Sequence, residues 1–233
     1  GDTITYTITS KVPDVSGYNN GYVFKINDTL SAGLTFKELT SVKIGDNDLG
    51  KTNYKLTNPV DGDAQSLTRE LKNMATGTAG AMTPNIEVYP VGETITVTYT
   101  AHLNENAAVN GSAENKNSVR LQYSNNPRPD GEYWGYTPTP ESEVYVYTYQ
   151  LNNTKRAETE NGTPLPGAVF QLYSDADCKN EVKLYQDGEF YYPIKNATGK
   201  EAVEMKSAAN GQFNVKGLDA GTYYLKETTP PKD

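Results

Sequence analysis

Apolar and polar residues alternate with a period of two through most of the chain. The alternation is clearest over residues 3–9, 22–26, 93–100 and 119–123, where Thr, Val, Ile and Tyr dominate. Because successive side chains of a strand point to opposite faces, this pattern predicts half-buried antiparallel strands. Gly, Asn, Asp and Pro separate the segments, as turns require. The predicted fold class is therefore all-β, of the sandwich type, and the only helix that the pattern favours is a short one over 66–75.

The composition changes between residues 125 and 143, where four prolines occur. Proline removes a backbone donor and stiffens an extended chain, so this stretch predicts the end of one domain and a short linker. At roughly 100–200 residues per domain, the length accommodates two domains. We predict two tandem immunoglobulin-like β-sandwich domains, at 1–137 and 144–233, joined by a linker at 138–143. The second domain is expected to open with a strand over 144–151.

Counting parity along the predicted strands places four polar side chains on apolar faces. Burying an ionised carboxylate or ammonium is costly, so such groups neutralise, pair or react. The alternative is that each of them lies at a strand end, where the rim of the sandwich meets water. The inward alignment of Lys155 and Glu227 assumes that their strands run unbroken from residues 145 and 223. The four residues are Asp28, Asn117, Lys155 and Glu227.

The sequence around these four residues resembles two domains of Gram-positive surface proteins. The resemblance to the isopeptide-forming D2 domain of fimbrial shaft proteins rests on residues 1–8, 11–14, 28–36, 98–101 and 117–127. The second half is similar to the SpaA-like, collagen-adhesin B-type prealbumin-like domain, through Lys155 and residues 164–173, 211–218 and 221–231. Together the two resemblances cover nearly the whole chain, and they predict a sortase-assembled pilin.

The resemblance implies a chemistry for the four residues. In this family a lysine on the first strand of a domain attacks the side-chain amide of an asparagine on the last strand, and ammonia leaves. A neighbouring Asp or Glu catalyses the formation of this intramolecular isopeptide bond. The amine must be neutral and the carboxyl protonated, and an apolar core favours both states. By resemblance, Asn117 is the acceptor and Asp28 the catalytic acid of the first domain, while Lys155 is the nucleophile and Glu227 the catalytic acid of the second.

Each domain departs from the family pattern by one missing partner. We expect the lysine of the first domain on a strand upstream of Gly1, and the asparagine of the second on a strand after Asp233. Lys25 is a poor substitute for the missing lysine, because its odd separation from Asp28 places it on the opposite face. Lys11, beside the turn at Pro13, is a weaker fallback.

Composition narrows the classes of function. A net charge of −8 and a pI near 4.8 argue against nucleic-acid binding and against a polybasic membrane patch. No apolar run approaches the ~18 residues of a spanning helix. With one Cys, Cys178, and one His, the chain lacks the residues for a disulfide, a zinc cluster or a histidine-dependent triad. We expect no enzyme, no cofactor and no metal, and we interpret the Asp-rich segments 46–48 and 61–63 as solvated turns.

The leading hypothesis is a structural subunit of a bacterial pilus or adhesin stalk, extracellular and anchored to the cell wall. Its expected partners are neighbouring pilin subunits joined by sortase. The alternative is a tip adhesin that recognises a host protein or glycan through the segment 44–90, which we interpret as long and irregular.

Overall fold

The computed structural model of the protein describes residues 3–57, 65–109, 115–127, 136–195, 197 and 199–231. Within these residues the chain folds into β-strands, with one turn of 3₁₀ helix at Lys51–Asn53 and no α-helix. The all-β prediction is confirmed. The chain divides into two compact units, one built from Thr3–Leu103 with Asn115–Tyr145 and the other mainly from the residues after Val146. No helix in the described part of the chain has the length and apolar character needed to cross a membrane.

The first unit holds two larger sheets and one small two-stranded sheet. In one larger sheet the strand order is β1-β9-β3-β4, and in the other it is β11-β10-β2-β6-β5, with β12 also paired to β10. The small sheet joins β7 and β8. The strands are β1 (Thr3–Lys11), β2 (Phe24–Leu30), β3 (Leu34–Ile44), β4 (Asn47–Asp48), β5 (Tyr54–Thr57), β6 (Gln65–Leu71), β7 (Ala75–Thr76), β8 (Thr83–Pro84), β9 (Thr94–Leu103), β10 (Asn115–Ser124), β11 (Tyr136–Pro138) and β12 (Ser142–Val146).

Alternation along the central strands builds the core of the first unit. On β9 every second residue is buried, and the residues between them are half-buried threonines with one histidine. On β2 the buried set includes Phe24, Ile26 and Leu30. Antiparallel sheets with one face towards the core and one towards water produce this pattern. The inner faces of β2 and β9 therefore line one apolar interior.

The second unit contains a four-stranded sheet in the order β13-β18-β16-β15 and a three-stranded sheet in the order β17-β14-β19. All described pairs are antiparallel except β16 with β18. Phe170 stacks on Phe213 in the core, with ring centroids 4.1 Å apart. The strands are β13 (Tyr149–Leu151), β14 (Val169–Tyr173), β15 (Leu184–Asp187), β16 (Phe190–Pro193), β17 (Met205–Lys206), β18 (Asn214–Leu218) and β19 (Tyr224–Thr229).

The helix predicted over 66–75 is wrong. Residues 66–71 belong to β6, which pairs with both β2 and β5. Leu67, Arg69 and Leu71 are buried, whereas the residues between them are only half-buried. This period-two alternation is typical of a strand. Pairing on both sides outweighed the local preference for helix.

The strand predicted over 144–151 is divided in the structure. Residues 142–146 form β12, which pairs with β10, and a separate strand, β13, begins at Tyr149 with a register shift between Tyr149 and Gln150. Tyr147 is 52% exposed and Tyr149 is 39% exposed, so this stretch lacks the buried face that an unbroken strand from residue 145 would have. After this register shift, the expected alternation of inward and outward side chains resumes only from Leu151 onwards. Part of the predicted linker at 138–143 lies in β11 and β12, and the domain boundaries stay a prediction.

The segment 44–90 is more regular than the sequence suggests. It contains β4 to β8 and the 3₁₀ turn, while residues 58–64 lie outside the described residues. Tyr89 is buried, and its hydroxyl donates to the carbonyl oxygens of Asn53 and Lys72 at 2.9 and 2.7 Å. The described parts of this segment therefore belong to the packed domain.

Candidate functional site

The centre of the first unit's site is Asp28, which β2 places on its core-facing side. β2 lies between β10 and β6, and Asp28 is opposite Val119 on one side and Leu67 on the other. Residues directly opposite each other in a sheet share a face, so the carboxyl group lies among apolar side chains. Asp28 is 0% exposed. The parity prediction for this residue is confirmed.

Asn117 also faces the interior, as predicted, from the neighbouring strand β10. It is 4% exposed and lies opposite Leu30, two residues along β2 from Asp28. Its side-chain amide donates to the hydroxyl of Tyr99 at 2.6 Å. Tyr99 comes from β9 in the facing sheet and stacks on Tyr6, with ring centroids 5.2 Å apart. The Asn117 amide is thus positioned by its own strand, β10, and by a hydrogen bond to the facing sheet.

Arg69 is the main residue of this site that the sequence analysis missed. Its guanidinium Nη1 donates to Asp28 Oδ2 at 3.1 Å, and its Cζ lies 4.2 Å from the centre of the Tyr99 ring. Predicting a helix over 66–75 hid the signal, since reading Leu67, Arg69 and Leu71 as a strand puts an arginine on an apolar face. Tyr99 was missed although it alternates with Ile95 and Val97 in a predicted strand.

Burial dominates the electrostatics of this cluster. It raises the pKa of Asp28, while hydrogen bonding to Tyr99, the charge of Arg69 and the amide of Asn117 lower it, and the net direction is upward. Burial, and then the charge of Asp28, raise the pKa of Tyr6 to about 12. The pKa of Tyr99 is raised as well, chiefly by burial. Both phenols therefore remain neutral at ordinary pH.

Three oxygens in the cluster, Asp28 Oδ1, Asn117 Oδ1 and the hydroxyl oxygen of Tyr6, are buried without a hydrogen-bond partner. Buried polar atoms are normally paired, so an unpaired oxygen on a buried carboxyl and another on a buried amide mark an unusual site. A carboxyl that carries a proton on Oδ1 is able to donate to an amide oxygen and polarise its carbonyl. The described side chains thus bring a buried carboxyl and a buried carboxamide into one cluster.

No lysine is among the buried residues that the structure describes. Lys11, the fallback candidate, is exposed and donates to Thr94 Oγ1 at 2.8 Å. Lys25 lies one residue out of phase with the buried positions of β2, as the parity argument predicts. Within the described part of the chain, neither of these candidates supplies the amine of this site.

In the second unit the two predicted partners meet. Lys155 Nζ lies 3.0 Å from Glu227 Oε2. Lys155 is not part of a strand, but its backbone is tied to neighbouring segments, since its N–H donates to Gly211 O and its carbonyl accepts from Leu165 N. Glu227 lies on β19 opposite the buried Phe170. The predicted proximity of lysine and acid is thus found.

This second pair is not sealed from water. The Lys155 and Glu227 side chains are 27% and 32% exposed. The reason lies in β19, which is an edge strand of its sheet and whose residues are all exposed, including Leu225 on the same face as Glu227. Parity correctly places Glu227 on the face of β19 that it shares with Phe170. In the described part of the chain, however, no strand or loop shields that face of β19 from water.

Other chemistry is sparse. No group of three or more His, Cys, Asp or Glu able to hold a metal ion occurs among the described residues. Asp46 and Asp48 are exposed, and the predicted turn at 61–63 lies outside the residues that the structure describes. Cys178 is a free thiol.

Comparison with known protein families identifies both halves of the chain. Residues 1–127 match the family described as Gram-positive pilin backbone subunit 2, Cna-B-like domain. Residues 150–233 match the SpaA prealbumin-like fold domain. The chain therefore belongs to the family of Gram-positive pilin backbone domains, and the predicted resemblance is confirmed.

Individual surface proteins and pilins are similar to this chain over nearly its whole length. The trypsin-resistant surface T6 protein of Streptococcus pyogenes is 23% identical over 97% of this chain, which spans 41% of that relative's length. The crystal structure of a C-terminal fragment of the major pilin GBS80 of Streptococcus agalactiae is similar with a TM-score of 0.72 at 23% identity, covering 100% of this chain and 80% of that one. The full-length major pilin SpaD of Corynebacterium diphtheriae is 25% identical, with a TM-score of 0.66, over 99% of this chain and 52% of SpaD. GBS80 and SpaD are both described as major pilins, and this chain shares their fold.

Proposed function

We propose that this chain is part of a shaft subunit of a pilus on a Gram-positive cell, and that each of its two domains is locked by an isopeptide bond. Its role is mechanical, and it has no catalytic turnover. A side-chain cross-link between the first and last strands of a sandwich prevents force from peeling those strands away. It also restricts the unfolded chain as a disulfide does, by roughly 2–5 kcal/mol in the disulfide case, without requiring cysteine.

The observation that carries the proposal is the sealed pair of Asp28 and Asn117. An acid and an amide are both almost fully buried, and one oxygen of each lacks a partner. Burial raises the pKa of Asp28, which favours the protonated form that polarises a carbonyl. A generic sandwich core has no physical reason to bury these two groups together.

The reaction is a balanced exchange of one amine for another. The nitrogen of a neutral lysine amine bonds to Asn117 Cγ, and the bond from Cγ to the amide nitrogen breaks. Asp28 gives its proton to the amide oxygen as the new bond forms, then takes a proton from the attacking nitrogen and delivers it to the departing nitrogen. The proton on the oxygen returns to Asp28 as the carbonyl re-forms and ammonia leaves. No oxidant or cofactor is needed, and proximity in a closed core supplies much of the rate.

Each domain needs one partner in addition to the side chains described. For the first domain we propose a lysine from a segment N-terminal to Thr3. For the second, where Lys155 and Glu227 already lie in contact, we propose an asparagine from a strand that covers β19. Such a strand would also remove the water that now reaches this pair, and so favour the neutral amine.

The location and partners follow from this role. A pilus shaft lies outside the cell, so we propose an extracellular, cell-wall-anchored protein. Its neighbours would be further pilin subunits, joined to it by sortase.

The test is the intact mass of the full-length protein, compared with the mass calculated from its sequence. We expect a deficit of one ammonia for each cross-linked domain. Asn117→Ala should restore one ammonia to the mass, because the acceptor is gone. Lys155→Arg should do the same for the second domain, because a guanidinium is not a nucleophile at neutral pH.

Matched controls are available on the same elements. Asn115→Ala removes a second buried asparagine from the same face of β10, and Lys195→Arg replaces an exposed lysine near Asp219. Neither control should change the mass deficit. A full-length protein with its calculated mass would contradict the proposed cross-links.

A further inference from the structure

Arg69 is a fully buried charge to which the proposed reaction gives no role. Its side chain is 1% exposed, and only Nη1 has a hydrogen-bond partner, while Nε and Nη2 have none. Burying a guanidinium with most of its donors unpaired is costly, and replacing a buried ion pair by apolar residues is often neutral or stabilising. Stability alone therefore does not account for this side chain.

The register places Arg69 and Asn117 on opposite sides of Asp28. Arg69 on β6 lies opposite Ile26, and Asn117 on β10 lies opposite Leu30. Asp28 sits between these two levels of β2, so its neighbours approach along opposite diagonals. Because Arg69 binds Oδ2, the other oxygen, Oδ1, is the one left without a partner. The ion pair thus fixes which oxygen of Asp28 remains for chemistry.

Charge adds a second effect. A buried carboxyl far from any cation would hold its proton too tightly to release it, whereas an exposed one would not hold it at all. A proton shuttle must both hold a proton and release it, and it works best when its pKa is close to the working pH. Arginine stays charged in proteins, so it provides a constant opposing influence on a buried carboxyl. The Tyr99 ring at 4.2 Å supports the cation from the facing sheet.

We propose that Arg69 is a positioning residue for the cross-link of the first domain: it holds one oxygen of Asp28, directs the other to the Asn117 side, and enables Asp28 to release its proton. This inference rests on the proposed function. Arg69 forms and breaks no covalent bond, and it acts on the amine and the amide only through Asp28 and through its charge. That charge also disfavours the ammonium form of a lysine entering the site.

The experiment measures the rate of ammonia loss against pH in the full-length protein. We expect protein that is recovered unfolded from inclusion bodies to be unreacted, because the reaction needs the closed core, so dilution into native buffer starts it. Samples are quenched in acid and their intact mass is measured. The variants are Arg69→Gln, which removes the charge, and Arg69→Lys, which retains it. Arg120→Gln, on the exposed face of β10, is the matched control.

We expect Arg69→Gln to slow the reaction at neutral pH by about tenfold or more, and to move the midpoints of its pH profile upwards by about one to three units. Removing a nearby positive charge raises the pKa of both Asp28 and the attacking lysine, which sets this sign. Arg69→Lys should react more slowly than the wild type while keeping its pH midpoints, because charge is retained and geometry is not. Peptide mapping checks that the introduced lysine is not itself part of the cross-link.

The outcomes separate the two proposals. Absence of ammonia loss in the wild type would contradict the proposed function. Normal loss in the wild type, with the same rate and profile in folded Arg69→Gln, would contradict the role of Arg69 alone. If Arg69→Gln fails to fold, Arg69→Lys decides, since a large shift of its pH midpoints would overturn the role assigned to charge.

Discussion

The two units hold related pairs of side chains in contrasting surroundings. In the first, Asp28 and Asn117 lie in a closed core with Arg69 and Tyr99, and the exposed fraction of each is at most 4%. In the second, Lys155 and Glu227 are in contact at 3.0 Å, yet about a third of each side chain reaches water. One unit buries a carboxyl and an amide with no buried lysine among its described residues. The other brings a lysine and a carboxyl into contact, and no described strand covers them.

This difference shows that contact and burial are separate requirements for the proposed chemistry. A short distance between an amine and a carboxylate produces an ion pair when water is present, because hydration stabilises both charges. Removing that water is what favours the neutral amine and the protonated acid. The first unit meets the second requirement, and Lys155 with Glu227 meets only the first.

The largest effect is expected from Asp28→Ala, which tests whether the pair of Asp28 and Arg69 is sealed from water. The change leaves Arg69 buried without its only hydrogen-bond partner, and removing one partner of a buried pair costs about 3–5 kcal/mol of unfolding free energy. Urea-induced unfolding followed by circular dichroism measures the loss. Asp46→Ala, at an exposed position of the same unit, is the control and should stay within about 0.5 kcal/mol of the wild type. A loss for Asp28→Ala as small as that of the control would mean that the pair is not sealed.

The pH dependence of stability sharpens the same contrast. Because burial raises the pKa of Asp28 above its ordinary value of 3.8, the unfolded state loses this proton first as pH rises. The stability linked to Asp28 is thus fully present below about pH 3.8 and is lost as pH rises through the folded pKa. We expect wild-type stability, relative to Asp28→Asn, to fall with rising pH by at most about 1.4 kcal/mol per unit.

Urea unfolding of both proteins from acid to neutral pH measures this slope, and a control with the opposite sign is available. Hydrogen bonding to the Ser16 side chain, and then to the Ser16 backbone N–H at 2.9 Å, lowers the pKa of the exposed Asp14, so its contribution to stability is lost as pH falls. If the wild type instead gained stability over Asp28→Asn with rising pH, the charge of Arg69 would outweigh burial.

The smallest effect is expected from Glu227→Gln. A half-exposed ion pair contributes about 0–1 kcal/mol, so this change should lower the unfolding free energy of the chain by no more than that. The same urea assay, with Glu204→Gln as a control at another exposed glutamate, measures it. A loss of several kcal/mol would show that Lys155 and Glu227 are sealed as deeply as Asp28, and the contrast between the units would disappear.

Much of the fold follows from local pattern. The alternation over 3–9 and 93–100 predicts β1 and β9, and the same parity identifies Asp28 and Asn117 as inward-facing. Prediction failed where a strand is interrupted or has no clear apolar pattern. Tyr147 and Tyr149 are exposed because the chain leaves β12 and shifts register at β13, and single-residue parity does not survive such a shift.

The amino-acid sequence by itself determined the strand class, the inward face of Asp28 and Asn117 and the family of the two domains, because period-two alternation and local motifs are properties of neighbouring residues. Tertiary structure decided what those faces meet. Arg69 reaches Asp28 from a strand 41 residues away in sequence, and Tyr99 reaches Asn117 from the opposite sheet. Whether a carboxyl is sealed or wet depends on which strands cover it, and that depends on the packing of distant segments.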